Sequence, residues 1–216
     1  MNRQIIVTTT ATLALILVAC SPPVKEPERT GFISDYSNLK LQKDEAVELT
    51  EDEAYVYIND NLKNYRKFLI DDIVLLYQQD PENQKFKPEQ LDELLEHTHS
   101  ELIEALSKGD TYTIATEPGE GVARIRIALT DVKATIGALN LVSYTKITGA
   151  GLGGAAIEGE AIDSVTGEQL GAAMRWGGGG RIGRAGYTKT GDAKIILTRW
   201  AKGWREKLDK LNGITD

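Results

Sequence analysis

A chain of 216 residues whose only cysteine is Cys20 cannot close a disulfide within itself, so its fold rests on packing and hydrogen bonds. Histidine is nearly as scarce. The two present, His97 and His99, stand two apart in a helical pattern, where side chains point in different directions rather than at one metal ion. They read as a solvated surface, with His97 in reach of Glu93 or Glu101 one turn away, and no metal site is expected. Basic residues are outnumbered, 25 Lys and Arg against 32 Asp and Glu, which argues against nucleic acid as a partner. Only one long apolar run exists, Ile5 to Val18. It falls short of the roughly 20 residues a membrane-spanning helix needs, and nothing after it comes closer.

That run follows Arg3 and ends in Leu17-Val18-Ala19-Cys20, so it reads as a signal segment. Its end resembles the lipobox of bacterial lipoproteins. Cleavage between Ala19 and Cys20 would leave the cysteine first, its thiol carrying a diacylglycerol and its amine a further acyl chain. Two or more chains anchor stably where one does not. Residue 21 is Ser rather than Asp, so the retention signal of inner-membrane lipoproteins is missing. The expected location is the outer membrane, lipid-anchored and facing the periplasm. Ser21 to Thr30 carries three prolines and almost no apolar side chain, which suits a tether of roughly 30 Å reach at about 3.1 Å per residue. The expected organisation is a signal peptide over 1–19, a lipidated cysteine and tether over 20–30, and one domain over 31–216.

The remainder has the 41% hydrophobic and 26% charged residues of a globular protein, but the charge is unevenly spread. Lys25 to Asp110 holds 21 acidic and 10 basic residues, whereas Arg175 to Lys210 holds 10 basic and 3 acidic. Either the basic end meets something anionic, such as a lipid headgroup, lipopolysaccharide phosphates or another copy's acidic end, or the two ends lie against each other.

Hydrophobic periodicity sets out the elements. Tyr55 to Ile58 reads as a short strand, Tyr65 to Tyr77 as a pair of strands or one bent strand interrupted by Asp71-Asp72, and residues 31 to 49 as no firm structure. Lys87 to Ser107 is a helix with Pro88 in its first turn, Gly109 after its end, and Leu91, Leu94, Leu95, Thr98, Leu102 and Leu106 on its core face. Thr111 to Thr116 and the turn Pro118 to Gly121 lead into Val122 to Lys133, a strand with one wet face. Ala155 to Trp176 is a hairpin with its tip at Ser164 to Gly167. A tip centred there puts Ile157, Ala161, Leu170, Ala172, Met174 and Trp176 on one face and Glu158, Glu160 and Arg175 on the other. Gly191 to Leu211 is a last helix with Ile196, Trp200, Trp204, Leu208 and Leu211 along one stripe. The sum is an α+β fold, a mainly antiparallel sheet with a central and a C-terminal helix packed on one face.

The run Gly31 to Leu39, the segment Pro118 to Val132, and Ile157-Glu158-Gly159-Glu160 with Asp163 to Glu168 resemble a bacterial lipoprotein family of the domain-of-unknown-function series, DUF3313. The resemblance covers most of the chain beyond the signal. It implies a periplasm-facing α+β domain and brings no catalytic residues. In layout alone the chain is similar to accessory lipoproteins of envelope machines.

Several short motifs spell other chemistries. Gly149 to Gly154 matches the dinucleotide fingerprint, and so does Gly178 to Gly183, but the first copy runs into a strand where the fingerprint needs a helix. No nucleotide and no cofactor beyond the lipid on Cys20 is expected. The second loop carries Arg181 and Arg184, with Lys189 beyond, and is the candidate surface for an anion or a partner. Ser37-Asn38-Leu39-Lys40, Tyr57-Ile58-Asn59 and Lys189-Thr190-Gly191 spell the motifs of penicillin-binding enzymes in wrong contexts. Glu158 and Glu160 share a strand face and could supply an acid, although a diagonal contact of Glu158 with Arg175 explains them as well. Asp71-Asp72 reads as a bend or a cation site, and the last helix's tryptophans as core. The expected function is a non-catalytic adaptor or structural subunit of a cell-envelope assembly, partnered by an envelope protein or by itself. The alternative is a wall- or lipid-modifying hydrolase using carboxylates.

Overall fold

A period of two in the sequence becomes the longest strand among the described residues. Val122–Lys133 (β6) turns Ala123, Ile125, Ile127 and Leu129 into the core. The computed structural model describes residues 28–43, 53–77, 86–134, 153–178 and 188–214. Within them the other strands are β1 (Lys40–Lys43), β2 (Glu53–Ile58), β3 (Lys67–Ile70), β4 (Val74–Leu75), β5 (Thr113–Ile114), β7 (Gly154–Asp163) and β8 (Gln169–Gly178), and the helices are α1 (Pro88–Ser107) and α2 (Gly191–Leu211). All eight strands join one sheet in the order β1-β2-β8-β7-β6-β3-β5, with β4 following β3 along the same edge of β6.

The pairs from β1 through β6 are antiparallel, and those of β3, β4 and β5 are parallel. The sheet is therefore mainly antiparallel with a parallel margin, because the connection from β3 to β5 runs through α1, as parallel neighbours require. β3 and β4 are one strand broken at Asp71, whose carboxylate accepts two bonds of 2.9 Å from Arg124 Nε. Asp71 thus marks a bend held by an ion pair. Tyr65 to Tyr77 is the bent strand the sequence suggested, and β1, in a segment assigned no structure, is an edge strand the sequence did not reveal.

Both helices pack on one face. The core side of α1 is Leu91, Leu94, Thr98, Leu102 and Leu106, and that of α2 includes Ile196, Leu197, Trp200, Ala201 and Leu208, as the 3.6-residue spacing dictates. The helices run side by side in the same direction, since Glu93 meets Lys194, His97 meets Thr198, and the end of α1 meets Arg205. Arg205 Nη1 donates to the carbonyls of Ala105, Leu106 and Lys108, satisfying the open C-terminal end of α1 with a positive charge. Part of the acidic half and part of the basic half of the sequence therefore do lie against each other. His97 is not merely solvated surface. Its Nε2 stands 3.0 Å from Thr198 Oγ1 and 3.2 Å from the Lys194 carbonyl, between the helices.

One expectation about the hairpin fails for an identifiable reason. The tip spans Ser164 to Glu168, and Gly167 takes a positive φ of 75°. Beyond the tip, however, Ile162 pairs with Gln169 while Ala161 pairs with Gly171, so Leu170 is an extra residue in β8. Such a bulge reverses the phase of every side chain after it. Arg175 pairs with Ile157 on the helix side, and Ala172, Met174 and Trp176 pair with Glu160, Glu158 and Ala156 on the opposite side. Glu158 and Arg175 are thus on different faces, and no diagonal contact joins them. Nor is that second face simply wet: Ala128 on β6 is completely buried there.

Candidate functional site

What covers the second face is the chain's own entry into the fold, residues 28–39. Ile33 is 2% exposed and packs with Ala156, Ala172, Met174 and Trp176, with Tyr36, Leu39 and Tyr55 around them. Phe32 lies under the Arg126 guanidinium, 5.1 Å from its ring centre. A hydrophobic plug alone leaves the direction of the chain free, and the polar contacts fix it.

Glu158 and Glu160, only 1% and 3% exposed, are the two points of attachment. Glu158 accepts from the Thr30 amide at 2.9 Å, the Thr30 hydroxyl at 2.7 Å and the Tyr36 hydroxyl at 2.5 Å. Tyr36 in turn accepts at its oxygen from the amides of Gly31 and Ile33, closing a tight loop. Gly31 makes that loop possible with a φ of +85°. Burial first, and the Glu158 carboxylate second, hold the Tyr36 phenol above its ordinary pKa. Glu160 accepts from the Ser34 amide at 2.9 Å, the Ser34 hydroxyl at 2.6 Å, Arg126 Nη1 at 2.7 Å and Gln169 Nε2 at 3.1 Å. Buried carboxylates of this kind are stable because each has several donors. Both are fully engaged as acceptors, which makes them a latch for the entry segment rather than an open acid pair.

A second feature lies on the helix side. A cavity of about 130 Å³ separates α2 from the sheet. Its floor includes Gly159, Ala161, Gly171 and Ala173, none larger than a methyl, and its roof Trp200, Trp204, Leu208 and Leu211. An enclosed void of that volume would cost about 3 kcal/mol. The deeper walls, Leu102, Ile125, Leu197 and Trp200, are buried, whereas Ile58 is exposed and Arg175, Lys207 and Leu211 are half-buried. The cavity therefore opens toward β2 and the end of α2. Sequence reasoning did not find it, because it arises from small residues on β7 and β8 facing large ones on α2.

The motif residues fare as follows. Cys20, Ala19, Arg181 and Arg184 lie outside the described residues, and Lys189 is exposed just before α2. Gly153, next to last in the first glycine-rich motif, donates its amide to the buried Asp192 carboxylate at 2.8 Å, and Gly154, its last residue, begins β7, so a strand stands where the fingerprint needs a helix. Ser37 sits in a turn bonded to Asp35 and opens no helix, so the penicillin-binding spelling has no matching geometry. Trp200 is core, and Trp204 stands edge-on to Phe68 at 5.7 Å. Asp163 organises the hairpin tip, accepting from the amides of Thr166 and Val165 and from the Tyr65 hydroxyl. These donors, the Thr166 amide foremost, lower its pKa to about 2, while burial and then Asp163 push Tyr65 up to about 12. Among the described residues no cluster of three or more potential metal ligands occurs, and no helix is long and apolar enough to cross a membrane.

Comparison with known proteins adds a family and little else. The chain belongs to the family described as a protein of unknown function (DUF3313), which matches residues 28–204. No curated protein matches it. Among solved structures it is similar to a PelC dodecamer from Paraburkholderia phytofirmans, at 12% identity over 76% of this chain and 99% of that one, with a TM-score of 0.45. It is also similar to a DUF4136 family protein from Bacteroides thetaiotaomicron, at 10% identity over 72% of this chain and 96% of that one, with a TM-score of 0.37.

Proposed function

We propose that this member of the DUF3313 family is an outer-membrane lipoprotein, anchored through Cys20 and facing the periplasm, that serves as a non-catalytic adaptor or structural subunit of a cell-envelope assembly. The observation that carries the reading is the latch. A tether positions a domain only if the point where it enters the fold is fixed, and Thr30, the first of the described residues bonded to the sheet, is held by Glu158. The lipobox-like Leu17 to Cys20 and the proline-rich residues that follow supply the anchor and the spacer. The carboxylate pair that a hydrolase reading would use is occupied by Thr30, Ser34, Tyr36 and Arg126, which favours the structural role.

The test is made in cells with a photoreactive residue at position 181 or 184 of the full chain. The expected result is a discrete crosslink to an envelope protein or to a second copy, together with incorporation of an alkyne-labelled fatty acid that the Cys20→Ser variant loses. Labelling that persists in Cys20→Ser would overturn the anchor, and free monomer as the sole species would overturn the adaptor role.

A further inference from the structure

We propose that the cavity between α2 and the β2–β8 part of the sheet binds the end of one acyl chain carrying an anionic head, a free fatty acid. The argument begins with volume. At about 130 Å³ the space is comparable to the engineered apolar cavity of about 150 Å³ that takes up benzene. It therefore has room for the last few carbons of one chain and not for the two chains of a phospholipid.

The lining selects the chemistry of that chain. Leu62, Leu102, Ile125, Ile127, Ile157 and Trp204 present carbon to the space. Two of its polar lining residues are already committed: the Thr98 hydroxyl donates to the Leu94 carbonyl, and the Glu160 carboxylate is bonded to Ser34 and Arg126 on the other face. Water inside would find few partners, and an alkyl group loses nothing by replacing it. At the opening the charged residues are cationic. Arg175 lies over the Trp200 ring at 5.5 Å, Lys207 stands on α2, and the nearby acid Asp209 is paired with Arg205. A carboxylate at the mouth with its chain inward satisfies both parts, whereas a cationic head would be repelled.

The experiment uses the full chain carrying Cys20→Ser in detergent-free buffer. It is titrated with dodecanoate brominated at its methyl end while tryptophan emission is followed. Trp200 and Trp204 line the cavity and Trp176 faces the other side of the sheet, so contact quenches part of the emission in a saturable way. The expected results are a loss of quenching in Ala173→Leu, which fills the space, and about tenfold weaker binding in Lys207→Glu, equivalent to about 1.4 kcal/mol. Dodecyltrimethylammonium is expected to bind at least about tenfold more weakly than dodecanoate. Undiminished quenching in an Ala173→Leu variant of unchanged melting temperature would overturn the proposal. So would equal affinity for the cationic amphiphile, or competition by vesicles of an anionic diacyl phospholipid as strong as that by the fatty acid. If Ala173→Leu does not fold, Lys207→Glu decides alone, and unchanged affinity there sinks the site.

Discussion

Glu158→Gln is the substitution that interrogates the latch most directly, because it keeps the shape of the side chain and removes only its charge. Three donors meet this carboxylate, the Thr30 amide at Oε1 and the hydroxyls of Thr30 and Tyr36 at Oε2. The glutamine oxygen can still accept from the Thr30 amide, and the Thr30 hydroxyl can turn to accept from its nitrogen, but the Tyr36 oxygen already accepts from the amides of Gly31 and Ile33, so its bond to residue 158 is lost. What disappears is that bond and the charge assistance of the other two, about 1 kcal/mol for each of the three. Relief from holding a charge out of water offsets part of that. Thr30 is also solvent-exposed, so its groups rehydrate when released. The net loss comes to about 1.5–2 kcal/mol, and it falls on the attachment of residues 28–39 rather than on the sheet beneath. Hydrogen–deuterium exchange of the entry-segment peptide should accelerate about 10- to 30-fold, with rates in α1 and α2 unchanged. The Tyr36 phenol, no longer beside a carboxylate, should titrate lower in an ultraviolet pH titration. Unchanged exchange in residues 28–39 would refute the reasoning, and so would an equal rise everywhere, because either result would mean that Glu158 does not hold this segment specifically.

Two further outcomes follow from buried carboxylates elsewhere. Asp163 is a carboxyl whose folded pKa, about 2, lies below its ordinary 3.8, so its stabilisation is fully present above pH 3.8 and is lost as pH falls through 2. Urea unfolding should show about 2 kcal/mol of stability disappearing across that interval and little of it in Asp163→Asn; a parallel pH dependence in the two proteins would contradict the assignment. Asp192→Ala leaves the Gly153 amide without its 2.8 Å acceptor and should lower unfolding free energy by about 2 kcal/mol, with a change within error showing that this contact is dispensable.

The sequence exposed those parts of the fold that depend on near neighbours. α2 occupies the span its apolar stripe indicated and α1 begins one residue later than expected, because capping, a proline in the first turn and a period of 3.6 are local properties. β6 and the hairpin tip were legible for the same reason, through a period of two and a glycine that must take positive φ. β1 was not, since four residues reading Lys-Leu-Gln-Lys carry no pattern and become a strand only because β2 offers them an edge. His97 was legible only in part: Glu101, one turn away, does stand 3.9 Å from its Nδ1, but its other partners, Lys194 and Thr198, arrive from a helix about a hundred residues away.

The latch was hidden by a single extra residue. Had β8 kept its phase after the tip, Met174 and Trp176 would have joined the helix-facing core, and Glu158 and Glu160 would have shared an open face with Arg175. Leu170 reverses that. The face bearing the glutamates then also carries Met174 and Trp176, each at most 2% exposed, and a face with that much carbon must be covered by something. The cover comes from Thr30, Ser34 and Tyr36, which lie more than 120 residues from the carboxylates they bond. No local pattern announces a contact at that separation. Yet Gly31 to Leu39 and Ile157 to Glu160, two of the stretches on which the family resemblance rests, are the two halves of this joint. A site shared by such distant segments, with both carboxylates already bonded, works as a joint that holds residues 30–36 on the sheet.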